Sequence, residues 1–155
     1  MSYQHTQAGT VIVVSLGIAT IAIAGMAVLM GWHPVAIVVL CILLACVALF
    51  HSLTVEIRGD TLECRFGVGL IRKRFPLAAI RNVESVRNPW YYGWGIHWVL
   101  GLWVFNVSGF RAVQITLASG RRYRVGTDEP EELAQAIRQG ISEASPSASG
   151  PRTPS

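Results

Sequence analysis

The chain has 155 residues, 52% of them hydrophobic and 14% charged, which excludes a disordered or collagen-like class and leaves room for one small domain beside a membrane segment. A net charge of +4 with no recognition motif gives nucleic acid no support as a partner. Three cysteines with no paired spacing exclude a disulfide framework.

Residues 1–9 read as an N-terminal tail. None of the first 55 residues carries a charged side chain, Glu56 being the first, and all 13 Lys and Arg follow from Arg58 onward. Two apolar runs, 10–32 and 34–53, are split by Gly31-Trp32-His33-Pro34. Each reaches the ~20 helical residues that cross a hydrocarbon core. Gly31 suits a helix end and Pro34 a helix start, so the runs are expected to form a helical hairpin of two transmembrane helices. Trp32 and His33 suit the membrane–water interface. Arg58, Arg65, Arg72, Lys73 and Arg74 follow the second run, whereas the turn and the N-terminus carry no Lys or Arg. The positive-inside rule then places both termini in the cytoplasm of a cell with the hairpin in its inner (plasma) membrane. A cleaved signal peptide is the competing reading, but the first run lacks a basic n-region and exceeds a 7–15-residue h-region. Small residues recur along each run, Gly17, Thr20, Ala24, Ala27 and Gly31 on the first and Cys41, Ala45, Ala48 and Ser52 on the second. They either close the hairpin on itself or form a homodimer face.

The stretch 53–144 is expected as one soluble domain. Leu53, Val55 and Ile57 alternate with polar residues, as do Leu62, Cys64 and Phe66, and Gly59-Asp60 joins them as a strand pair. Gly67-Val68-Gly69 leads into a third strand near 70–75. Further strands are expected at 81–87, in 95–108, at 112–117 and at 121–125, the last two flanking Ala118-Ser119-Gly120. Thr127-Asp128-Glu129-Pro130-Glu131-Glu132 caps a helix whose apolar face is Leu133, Ile137 and Ile141. The Ser- and Pro-rich stretch 145–155 reads as a disordered tail. About seven strands closed by one C-terminal helix is the outline of a pleckstrin-homology-like (PH-like) barrel. Periodicity alone does not separate it from other small antiparallel α+β folds.

Three segments narrow this. Asn88-Pro89-Trp90-Tyr91-Tyr92-Gly93-Trp94-Gly95-Ile96, Phe105-Asn106-Val107-Ser108-Gly109, and Gly120-Arg121-Arg122-Tyr123-Arg124-Val125-Gly126-Thr127-Asp128-Glu129-Pro130 resemble a family of small, largely uncharacterised bacterial membrane proteins. Its members have two transmembrane helices and a bacterial PH-like domain. The resemblance implies a membrane α-helical hairpin followed by an α+β PH-like domain, an antiparallel barrel closed by a helix. It carries over no catalytic or ligand-binding residue. The loop Gly59-Asp60 is too short and too acidic for the phosphoinositide cup of eukaryotic relatives.

No enzyme is expected. His5, His33, His51 and His97 are scattered, and no cluster has metal-ligand spacing, so neither metal nor cofactor is anticipated. Cys41 and Cys46 lie in an apolar run and Cys64 alternates inward, as small hydrophobes do. Gly67-x-Gly69 and Gly93-x-Gly95 lack the context of a nucleotide loop. Two features point to binding. The first is aromatic: Trp90, Tyr91, Tyr92, Trp94, Trp98, Trp103, Phe105 and Phe110 fall between Arg87 and Arg111, an interval with no charge. These rings could dip into lipid headgroups, form a groove, or fill the core. A third membrane crossing here is rejected, because Asn88, Pro89, His97, Asn106 and several Gly interrupt it. The second feature is basic, Arg72, Lys73 and Arg74 with Arg121, Arg122 and Arg124, each cation worth ~1 kcal/mol beside an anionic leaflet. A solvated strand face paired with Glu56, Glu63 or Glu84 is the plain alternative. The expected function is a non-enzymatic, membrane-tethered interaction module contacting anionic lipid or a neighbouring membrane protein. The alternative is a sensor or accessory subunit that binds a small apolar ligand through residues 90–110.

Overall fold

The computed structural model describes residues 2–144; the tail expected at 145–155 lies outside the described residues. In chain order the elements are β1 (Ser2–Ala8), α1 (Thr10–Met30), α2 (Pro34–Phe50), β2 (Ser52–Arg58), β3 (Thr61–Phe66), β4 (Ile71–Pro76), β5 (Ile80–Arg87), β6 (Gly95–Val99), β7 (Leu102–Asn106), β8 (Arg111–Leu117), β9 (Arg122–Gly126) and α3 (Pro130–Ala144). Short 3-10 turns occupy Leu77–Ala79 and Trp90–Tyr92.

The charge-free front of the chain departs from expectation at both ends. Residues 2–8 are a strand, antiparallel to β2 from Ser2↔Arg58 to Ala8↔Ser52. Its inward positions are Tyr3, His5 and Gln7, so no aliphatic alternation marks it. Polar contacts hold it instead. Gln7 Nε2 donates to the Ser108 carbonyl at 3.0 Å, and His5 lies 2.6 Å from Asp128 and 3.1 Å from Glu129.

The expected pair of transmembrane helices also needs correction. Among the described residues only α1, with 21 residues, is long and apolar enough to cross a membrane; α2 has 17 and stops at Phe50. The second run ends early because Ser52 and Leu53 already belong to the strand ladder, opposite Ala8 and Gln7 on one side and with Leu53 opposite Phe66 on the other. At the break, Gly31 has φ of 94°, and the His33 ring accepts a hydrogen bond from the Val35 amide at 3.3 Å. The two helices pack on each other, and most of their large side chains face outward.

Two glycines seat the end of α2 on the domain. The Gly9 amide donates to the His51 carbonyl at 2.7 Å and the Gly67 amide to Ser52 at 2.8 Å. A Cβ on Gly9 would lie 2.5 Å from the Phe50 carbonyl oxygen, and one on Gly67 would collide with the carbonyls of Ala48 and Leu49. Phe50 and Phe66 meet edge to face at 5.9 Å, closing the junction.

The strands form two sheets rather than a closed barrel of about seven. One has the order β1-β2-β3-β4, the other β5-β8-β9-β7-β6. The cause is the uncharged interval between β5 and β8. Residues 95–106 fold as a β6–β7 pair and add to the edge of the second sheet, β7 running parallel to β9. That sheet therefore grows sideways, and β4 and β6 are left as edges. Leu53, Val55 and Ile57 of β2, Leu62 and Phe66 of β3 and Val113 and Ile115 of β8 fill the core, each buried side chain contributing about 2 kcal/mol. Phe105 links the sheets, 5.9 Å from Phe66 and stacked 6.1 Å from Tyr123. Helix α3 covers the core with Leu133, Ala134 and Ile137, and Gly140 lets it come close to Leu77. Its start is held by Thr127, whose hydroxyl accepts from the Glu129 amide at 3.1 Å.

Candidate functional site

Strand periodicity and register distribute the basic residues. On β4, Lys73 lies opposite Cys64 and so shares the inward face of Leu62 and Phe75, while Arg72 and Arg74 face out. Arg74 Nε donates to Glu63 at 2.7 Å, and this hydrogen bond holds the Glu63 carboxyl below its ordinary range. Arg72 Nε donates to the Gly69 carbonyl at 2.5 Å. Lys73 lies 5.8 Å from the centroid of the Tyr123 ring. Arg122 is exposed on the outer face of β9. Arg124 on the same face has a structural position. It donates to Gln114 at 3.0 Å and Asn88 at 3.2 Å and lies 5.3 Å from the Tyr92 ring, tying the segment that follows β5 to the sheet.

The aromatic residues divide as well. Trp90 and Tyr91 ride on a 3-10 turn and are 78% and 66% exposed. Tyr92 continues this edge-to-face series but is drawn under Arg124. Trp94 leans on Phe110 at 6.1 Å. Trp98 and Trp103 oppose one another across the β6–β7 pair, and Phe105 is core. The nine residues singled out from sequence thus fall into separate places: the two faces of β4, the outer face of β9, and the Trp90–Tyr92 turn with its neighbour Trp94. Beside that turn lies an open depression of about 410 Å³ with Arg87, Asn88 and Phe110.

One groove gathers members of both features. It lies in the gap left by the unclosed sheets, between the β4 edge and the β7–β9 part of the second sheet, with a volume of about 370 Å³. Phe66, Phe105 and Tyr123 form its floor. Ile71 and Ile96 line the end nearest α2, because Ile71 pairs with Phe66, which in turn touches Phe50. Trp103, Arg72, Lys73 and Arg121 complete the lining. Among the described residues no carboxylate lines it. Burial on the same inward face pushes the Cys64 thiol up to about 12, which keeps it protonated and unreactive at neutral pH. The sequence places Arg121 in the basic feature and Trp103 in the aromatic one but gives no sign that they meet each other, Ile96 and Ile71 in one groove. The only advance signal was the alternation that turns Lys73 inward; the rest depends on how the sheets meet.

Among the described residues no three His, Cys, Asp or Glu side chains come together as a metal set. No protein-family model, no curated protein and no solved structure matches the chain.

Proposed function

We propose that the protein is a membrane-anchored, non-enzymatic interaction module, held by the packed apolar helices α1 and α2, whose two-sheet domain meets anionic lipid or a neighbouring membrane protein on the cytoplasmic face. One observation carries this reading: exposed apolar and aromatic side chains gather at the end of the domain where the helices leave it. Val68 and Leu70, 62% and 78% exposed, lie on the turn whose Gly67 abuts the last carbonyls of α2. Gln7, the penultimate residue of β1 before α1, bonds Ser108, and the adjoining Phe110 carries Trp94 and, through its carbonyl, Asn88. The pairing of β1 with β2 supports one sidedness for both strands, and the cations after α2 favour the cytoplasmic side. Arg72, Arg74 and Arg122 add outward-facing positive charge to the domain, which an anionic surface attracts.

The full chain in nanodiscs tests it. Brominated lipid should quench tryptophan emission more strongly in anionic than in neutral discs, and salt should weaken the difference. Trp90→Phe should remove part of the quenching, and a combined Arg72→Gln, Arg74→Gln, Arg122→Gln variant most of its charge dependence. Release of the chain from membranes by alkaline carbonate would refute the anchor. Quenching indifferent to lipid charge and to these substitutions would refute lipid contact in favour of a protein partner.

A further inference from the structure

We propose that the groove between the two sheets seats one anionic membrane lipid, its phosphate at Lys73 and Arg121 and the first part of its acyl chain over Ile71, Ile96 and Phe66. The inference rests on the membrane-anchored reading and names the ligand and its orientation.

Three observations converge on it. First, the charge of the groove is unanswered. Arg72, Lys73 and Arg121 line it, and among the described residues Lys73 has only the Tyr123 ring as a partner while Arg121 forms no ion pair. The other cations near β4 do have carboxylates: Arg58 and Arg65 reach Glu56, and Arg74 reaches Glu63. Arg72, on the outer face, shares the field of Glu63, which leaves Lys73 and Arg121 as two cations beside one apolar floor with no acid among the described lining residues, an arrangement that suits an anion brought from outside.

Second, the groove is polar at one end and apolar at the other, in the sense a lipid requires. Ile71 and Phe66 adjoin the end of α2, where the bilayer lies in the membrane-anchored reading. Lys73 is two residues further along β4, about 7 Å away from that end. Arg121 precedes β9, in which Tyr123 lies opposite Trp103 and Val125 opposite Phe105, so it lies at the far end. A lipid in a leaflet carries its chain toward the bilayer and its phosphate toward the domain, and the groove repeats that order.

Third, the size and wall chemistry fit. A volume of about 370 Å³ lies within the range of small-ligand sites, and aromatic walls with a few placed polar groups are their usual lining. It accommodates a headgroup and the start of a chain, the remainder staying in the leaflet.

The test uses the full chain in neutral phosphatidylcholine nanodiscs, titrated with dioctanoyl phosphatidylglycerol, dioctanoyl phosphatidylcholine or inorganic phosphate. The anionic lipid should bind saturably, and the neutral lipid and phosphate at least tenfold more weakly. The Lys73→Ala, Arg121→Ala double variant should weaken that binding on the order of thirtyfold, about a factor of five per cation. Arg81→Ala, which removes an exposed cation elsewhere, should leave it unchanged, and all variants should keep the parent melting temperature within a few degrees. A chain-brominated anionic lipid should quench the parent protein more than Trp103→Phe. Equal affinity for both lipids, full affinity for phosphate alone, or undiminished binding by the double variant would each overturn the proposal. If any of these occurs while the chain resists carbonate extraction, the groove assignment fails and the anchor survives. If carbonate extracts the chain, the broader reading fails with it.

Discussion

Replacing Gly67 by Ala tests whether the domain is seated rigidly on the end of α2. Gly67 has φ of 45°, a conformation that costs an L residue about 1–2 kcal/mol. A Cβ there would also overlap the backbone carbonyls of Ala48 and Leu49. Backbone cannot rotate aside as a side chain can, so the β3–β4 turn must lift from the helix. That overpacking adds about 1–3 kcal/mol, for a total of roughly 2–5 kcal/mol. Gly120 is the control: its φ is 80°, and a Cβ would meet nothing within 4 Å. Gly120→Ala should therefore show the conformational cost alone. Denaturant unfolding in detergent, followed by tryptophan fluorescence, measures both, and limited proteolysis near residue 51 should accelerate only for Gly67→Ala. Equal losses for the two variants would refute the rigid seat, since the steric term would then be absent.

Other consequences follow from the core and the first strand. Phe105→Ala removes the ring shared by Phe66 and Tyr123 and should destabilise by about 3–5 kcal/mol in the same unfolding assay. Alkaline pH should weaken the fold. Burial raises the Cys64 thiol to about 12 against 9.0 when exposed, so the folded state binds the proton more tightly. The associated stability is complete below pH 9 and declines as pH rises from 9 to 12, by up to about 4 kcal/mol. Tyr3, raised to about 12 chiefly by burial, acts in the same direction above pH 10. Cys64→Val should flatten the decline that begins at pH 9; an unchanged profile would remove Cys64 as its source. His5→Ala, which severs the contacts to Asp128 and Glu129, should cost about 1 kcal/mol and speed amide hydrogen exchange across β1 selectively.

Much of the domain was legible because its strands are half-buried and alternate. Leu53, Val55 and Ile57, and Leu62, Cys64 and Phe66, announce β2 and β3 through period two, and Leu133 with Ile137 announces α3. The first strand was illegible for the opposite reason. Tyr3, His5 and Gln7 face inward without aliphatic character, and the polar contacts of Gln7 and His5 are to residues 101 and 123 positions later. The extent of α2 was misjudged because hydropathy continues through Leu53, whereas pairing with Phe66 claims that residue for a strand. Of the candidate site, alternation correctly separates Lys73 from Arg72 and Arg74. It cannot show that Arg124 is committed to Asn88 and Tyr92, nor that Arg121 stands across a gap from Lys73.

By itself the sequence determined the charge-free apolar front, the strand alternation of β2 and β3, the glycine turns and the capped C-terminal helix. Each depends on residues within a few positions of one another, where side-chain period and backbone preference act directly. Only the tertiary structure decided that β1 joins the first sheet, that 95–106 widens the second instead of closing a barrel, and that a basic, aromatic groove opens between them. Those outcomes turn on which strand edges pair across long separations, and that choice is made by packing and register among distant segments rather than by any local pattern.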